Sequence, residues 1–153
     1  MSGALGPARS GGCLCGSVRF TAQGADEQFN ACHCRMCQRW VGGPFMAVSV
    51  PAEGLAVTGD WHIGTYQSSC WAERAFCRQC GSALWYRVTD PGKRERDVFE
   101  VLLGLFDDPS GIAMTGEIFI DRKPEAYALH GDHPRRTEAE ILALYAPAEG
   151  ATA

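Results

Sequence analysis

The chain has 153 residues, 46% of them hydrophobic and 21% charged, and a formal net charge of −4. That length suits one folded domain with one core. The acidic balance argues against a nucleic-acid partner, which needs a basic face, and no apolar run approaches a membrane span.

Residues 1–10 read as a tail, 11–146 as a single folded domain and 147–153 as a second tail. The first twelve residues are small and polar, carry Arg9 and lack an apolar core, so they do not read as a secretory signal. A cytoplasmic, reducing location follows as an expectation. There, eight cysteines are better read as metal ligands than as disulfides.

Gly11-Gly12-Cys13-Leu14-Cys15-Gly16 opens the domain. Two thiols are bracketed by glycines, which take the positive φ of a metal knuckle without a Cβ penalty. Residues 17–22 alternate, with Val18 and Phe20 on one face, as in a half-buried strand. Residues 23–28 turn, and 29–31 lead into Cys32-His33-Cys34-Arg35-Met36-Cys37. Gly42-Gly43-Pro44 breaks the chain. Strands are expected over 45–50, 55–58, 61–67 and 83–88.

The segment 90–97 is a charged loop marked by Pro91 and Gly92. Its Lys93, Arg94 and Arg96 interleave with acids, which favours a solvated loop over a binding patch. The apolar run 98–106 reads as a buried strand, and 117–120 as a short one. Only the end looks helical. Thr137-Glu138-Ala139-Glu140 has the capping-box pattern, Ile141, Leu142, Leu144 and Tyr145 follow as an apolar stripe, and Pro147 and Gly150 end it. The fold class is therefore mostly β, with short antiparallel strands and a short C-terminal helix.

Seven cysteines form three groups: Cys13 and Cys15; Cys32, Cys34 and Cys37; Cys77 and Cys80. Structural zinc takes four thiolate or imidazole ligands, whereas catalytic zinc takes three and keeps one position open. The simplest partition joins the outer groups into a closed four-thiol site. Cys32, Cys34 and Cys37 then hold a second ion with an open position. Spacing alone also permits two middle thiols to join Cys77 and Cys80. His33 could close the middle site, although it lies between two ligands and is expected to point away. Cys34 and Cys37 could also form a redox pair.

Arg35, Arg39, Arg74 and Arg78 flank the thiols and could offset their charge or meet a ligand carboxylate; each alone also reads as a surface residue. Cys70 falls outside the scheme and reads as buried and inert, with a spare ligand as the alternative. His62, His130 and His133 read as surface or satisfied histidines. Trp40, Trp61, Trp71 and Trp85 read as core or site-wall aromatics.

Three motifs together resemble the glutathione-dependent formaldehyde-activating enzyme and centromere protein V family. They are G-x-C-x-C-G-x-V-x-F at Gly11 to Phe20, C-H-C-x-x-C-Q-R at Cys32 to Arg39, and F-C-x-x-C-G-S-x-L at Phe76 to Leu84. Gly43-Pro44-Phe45, and Ser68-Ser69 before Arg74, add to the likeness, which spans about residues 11–127. The resemblance implies a β-tent fold with two zinc ions. It implies a structural zinc on Cys13, Cys15, Cys77 and Cys80, and a catalytic zinc on Cys32, Cys34 and Cys37. It also implies a carbon–sulfur lyase joining glutathione to formaldehyde as S-hydroxymethylglutathione, with a small thiol or glutathione adduct as partner. A chromatin role, as in centromere protein V, finds no long basic extension here. A non-catalytic zinc module and a thiol redox sensor are the competing function classes.

Overall fold

Short strands form where the sequence alternates or turns apolar. A computed structural model describes residues 6–145; the predicted tail over 147–153 and the stop signals at Pro147 and Gly150 lie outside the described residues. Two compact units emerge. One comprises the chain up to Phe29 together with Met46–Ala113, and the other comprises Asn30–Phe45 together with the chain from Met114 onward.

The first unit holds two sheets. Strands β1 (Arg9–Gly12), β2 (Arg19–Ala22) and β5 (Leu55–Thr58) form an antiparallel sheet in the order β1-β2-β5. The second sheet is antiparallel throughout, with β4 (Ala47–Pro51) at one edge, then β9 (Val98–Leu102), β8 (Ala83–Val88), β7 (Ala72–Cys77) and β6 (Ile63–Gln67). Pro51 lacks an N–H to donate, so an edge strand suits it. The rows of paired residues show how the faces divide. Val48, Val101, Trp85 and Ala75 lie in register and are buried. The next row holds Ser49, Glu100, Tyr86 and Arg74, so polar groups occupy the opposite face, as the period of two requires. Phe20 of β2 meets Trp85 edge-on at 6.5 Å and Phe106 at 5.4 Å, which ties the core of this unit together.

The predicted strands over 55–58 and 83–88 are present with those bounds. The strand expected over 98–106 stops at Leu102, where a 3-10 turn over Leu103–Leu105 takes over. The charged loop is solvated but ordered by its own ion pairs: Arg94 meets Asp97 at 3.2 Å and Arg96 meets Asp26 at 3.1 Å. Two tryptophans depart from expectation. Trp61 is 72% exposed and Trp71 41%: Trp61 lies in the 3-10 turn Asp60–His62 ahead of β6, and Trp71 in the turn just before β7. Cys70 is likewise exposed rather than buried. It lies in the turn between β6 and β7, where Ser68 and Ser69 donate their N–H groups to the Ala72 carbonyl.

Strands β3 (Gln28–Cys32), β10 (Ala113–Ile118) and β11 (Arg135–Arg136), which apart from Gln28, Phe29 and Ala113 belong to the second unit, form a sheet in the order β11-β10-β3, and β10 and β11 run parallel. Two helices belong here. The predicted helix is α2 (Glu138–Leu144), and its capping box is complete: the Glu140 N–H donates to Thr137 Oγ1 at 3.2 Å and the Thr137 N–H to Glu140 Oε2 at 2.9 Å. Thr137→Ala removes half of that box. It is expected to cost about 1 kcal/mol, read as a melting midpoint lowered by about 2–4 °C.

The other helix, α1 (Arg35–Val41), corrects the expectation that only the C-terminus is helical. It has no apolar stripe to announce it, since Cys37 is its one buried residue. Its ends define it instead. The Cys34 thiol caps the start by accepting from the Cys37 N–H at 3.4 Å, and Gly42 ends it at φ 79°, donating its N–H to the Gln38 carbonyl. Sulfur is a weak cap acceptor, which is why a cysteine does not read as a helix start.

Candidate metal centres

The seven grouped thiols fall into two clusters. Cys13, Cys15, Cys77 and Cys80 place their Sγ atoms within 4.8 Å of one another, and so do Cys32, Cys34 and Cys37. The mixed pairing that spacing alone permitted, two middle thiols with Cys77 and Cys80, is not the one the fold assembles.

In the four-thiol cluster each half is a knuckle. The Cys13 carbonyl accepts from the Gly16 N–H at 3.2 Å, and the Cys77 carbonyl from the Gly81 N–H at 2.8 Å. Both glycines are left-handed, at φ 80° and 78°, as the sequence led us to expect. An L side chain there would be strained although nothing crowds its Cβ. The Cys13 and Cys15 sulfurs are 3.6 Å apart, and those of Cys15 and Cys77 are 3.9 Å apart.

Two serines tune these thiols. The Ser82 hydroxyl, 3.2 Å from Cys80 Sγ, and the Ser82 N–H bring the Cys80 thiol down to about 5. Ser17, 3.2 Å from Cys15 Sγ, lowers Cys15 in the same way. For Cys77 the Cys80 N–H pulls downward, but burial and the neighbouring thiols outweigh it and leave Cys77 at about 11. Charge is thus already favoured at two of the four sulfurs.

The three-thiol cluster is different. Cys32 ends β3, Cys34 caps α1, and Cys37 lies in its first turn. Cys32 and Cys37 are buried and Cys34 is half-buried. The adjacent Cys34 and Cys37 thiols, and burial, push the Cys32 thiol far above its usual range. Three sulfurs this close cannot all ionise alone. A soft divalent cation fits them, because it balances the thiolates and satisfies the donor set. Among the described residues, no fourth cysteine, histidine or carboxylate joins the group.

His33 does not close this site, because both its ring nitrogens are engaged elsewhere. Nε2 lies 2.7 Å from Glu117 Oε1, and Nδ1 lies 3.4 Å from the Tyr127 hydroxyl. Glu117 also meets His133 Nε2 at 2.7 Å and Arg135 Nε at 2.8 Å. His33 and Glu117 are fully buried. Burial pushes the Glu117 carboxyl up, but the donors on His133 and His33 outweigh it and hold it below the usual carboxylate range.

This cluster is what sequence reasoning missed. His133 is satisfied, as expected, but its partner is a buried carboxylate that also holds His33, the residue between Cys32 and Cys34. A glutamate at an otherwise apolar strand end, ahead of Ile118 and Phe119, is the only local sign of it.

The sequence profile of the glutathione-dependent formaldehyde-activating enzyme family matches residues 8–122. The chain belongs to that family. An uncharacterized lyase of Schizosaccharomyces pombe is 33% identical over 136 residues, which is 89% of this chain and 96% of that protein. A Halomonas elongata protein, provisionally named a glutathione-dependent formaldehyde-activating enzyme, is 38% identical over 89 residues, 53% of this chain and 55% of that one. A solved Rhodobacter sphaeroides protein has a TM-score of 0.49 at 20% identity, over 82% of this chain and 98% of that chain.

The family match covers all seven clustered thiols and Glu117, and ends before His133 and Arg135. Of the arginines near the thiols, Arg35, Arg39 and Arg78 are exposed. Arg74 is buried, with its guanidinium 4.9 Å from the centre of the Tyr86 ring. No described helix is long and apolar enough to cross a membrane.

Proposed function

We propose that this family member is a zinc-dependent carbon–sulfur lyase acting on a small thiol adduct, of which S-hydroxymethylglutathione is the first to test. Cys13, Cys15, Cys77 and Cys80 hold a structural zinc in this reading, and Cys32, Cys34 and Cys37 hold the catalytic one, in a cytoplasmic, reducing setting. The observation that carries it is the division into four thiols and three, with no fourth side-chain ligand beside the three among the described residues.

The reaction adds a thiol across the carbonyl of formaldehyde. The C–S bond forms and the thiol proton ends on the carbonyl oxygen; the reverse reaction breaks that bond. A zinc ion on the three thiolates supplies Lewis acidity toward a thiol or a carbonyl oxygen at its fourth position. The chain supplies the approach. Cys34 is the least buried of the three, so substrate arrives on its side. Arg35 and Arg39 stand one turn apart on the exposed part of α1, where they offer positive charge to an anionic adduct. Holding thiol and aldehyde together contributes much of any acceleration, since a metal-held thiolate is a weaker nucleophile than a free one.

The test is zinc content in reduced protein, followed by the formaldehyde and glutathione reaction against its uncatalysed rate. Two zinc ions per chain and a rate above background are expected. One zinc per chain sinks the open-site reading, and a background rate removes the named reaction.

Acid should release the two ions in order. A thiol must lose its proton to bind metal, so metal affinity falls as pH falls. The middle group has one ligand fewer to hold its ion, and its Cys32 thiol is pushed far above its usual range, whereas the four-thiol group sets the raised Cys77 against the lowered Cys15 and Cys80. Dialysis at stepwise lower pH should therefore take the protein from two zinc ions to one before it reaches none. Simultaneous loss would contradict the assignment of the weaker ion to Cys32, Cys34 and Cys37.

A further inference from the structure

Three contacts join residues 117–122 to residues 33–38. The Glu117 carboxylate accepts from the His33 ring at 2.7 Å. The Ile118 carbonyl accepts from the His33 backbone N–H at 3.0 Å. The Arg122 carbonyl accepts from Gln38 Nε2 at 2.8 Å, and the same amide donates to the His33 carbonyl at 2.6 Å. These anchors bracket Cys34 and Cys37.

The holding segment is itself preset. Phe119 sits between the acceptors at φ 56°, ψ 41°, the one non-glycine with positive φ among the described residues. A large side chain adopts that conformation only where its surroundings impose it. The turn it starts is closed by the Arg122 N–H on the Phe119 carbonyl at 2.9 Å. Glu117 is fixed from the other side by His133 and Arg135.

We propose that residues 117–122 are a cradle that orients the three-thiol site, and that Glu117 is its positioning residue. The proposal rests on the metal reading above. Its logic is the alternation of an extended backbone. Cys32 ends a strand and Cys34 is extended, at φ −62°, ψ 155°, so side chains 32 and 34 share a side and side chain 33 takes the other. Drawing the His33 ring into Glu117 turns both neighbouring thiols toward Cys37. Gln38 then fixes where α1, which carries Cys37, sits against the same segment. Glu117 is not grouped with the three thiols; it acts through His33.

The test uses reduced, full-length wild type, Glu117→Gln and Gln38→Ala. Zinc is titrated out with a chromophoric chelator, and the four-thiol cluster of the same chain serves as reference. Both variants should keep the tight zinc at wild-type affinity and weaken the second by about 10–100-fold. With one equivalent of zinc in place, cobalt(II) added to the second site reports its geometry. Its d–d bands should shift in both variants, a change that lost stability alone does not produce.

Wild-type affinity and unshifted bands in both variants overturn the cradle alone. A wild-type chain that holds a single zinc overturns the metal reading and the cradle with it. If Glu117→Gln does not fold, Gln38→Ala, altered on the partly exposed surface of α1, decides by the same two readouts.

Discussion

Cys80→Ser is expected to lower the melting midpoint on the order of 10–20 °C, corresponding to about 5 kcal/mol. Structural zinc contributes roughly 10–16 kcal/mol of apparent binding free energy in small zinc peptides. Here it would join the knuckle that opens the first unit to one some sixty residues later, in a unit whose sheets are built from strands of four to six residues. The Cys80 thiol, at about 5, is ready to act as a thiolate, and a serine hydroxyl is not. Cys70→Ser is the control, because Cys70 is exposed in a turn, and its effect should stay within about 0.5 kcal/mol. Thermal melts with and without a chelator read both. A Cys80→Ser protein that melts with the wild type would show that the four thiols do not hold a structural ion.

Cys34→Ser should have the opposite profile: folding retained, activity lost. The Cys34 side chain has two tasks, as a candidate ligand and as the cap of α1. Serine is among the best cap residues, so the substitution keeps the cap and removes only the ligand. Zinc should fall from two per chain to one, and the formaldehyde–glutathione rate to that of the uncatalysed reaction. The melting midpoint should move by no more than a few degrees, as about 1 kcal/mol predicts. Full activity in Cys34→Ser would place the chemistry elsewhere.

How much of this could be read from residues depended on range. Thiol spacing, the glycines at 16 and 81, the Thr137 capping box and the strand over 83–88 are local signals, and each leads to what the fold shows. The grouping of the outer thiols also follows, because whole knuckles are simplest to pair. Features held by distant partners stayed hidden. Glu117 lies 84 positions from His33, and its place ahead of two apolar residues does not say that it will find two histidines and an arginine. Helix α1 was hidden for another reason. It is fixed by its ends and by Gln38, not by an apolar face, and hydrophobic periodicity has nothing to detect there. Trp61, Trp71 and Cys70 show the converse. Residue type predicted burial, but position at a strand end or turn decided exposure.

The interleaving of the two thiol clusters along the chain also matters during synthesis. Cys32, Cys34 and Cys37 lie inside the loop whose ends are Cys15 and Cys77. A growing chain therefore presents Cys13, Cys15 and the complete middle group while Cys77 and Cys80 are still unmade. Synthesis of the next forty or so residues takes about 2–8 s. Until Cys70 is made, every set of four thiols on the nascent chain mixes the two clusters. Any ion taken up by such a set would have to redistribute once the second knuckle emerges and offers Cys13 and Cys15 their partners. Residue 117 follows later still, so the middle thiols are the first to be complete and the last to be held in place.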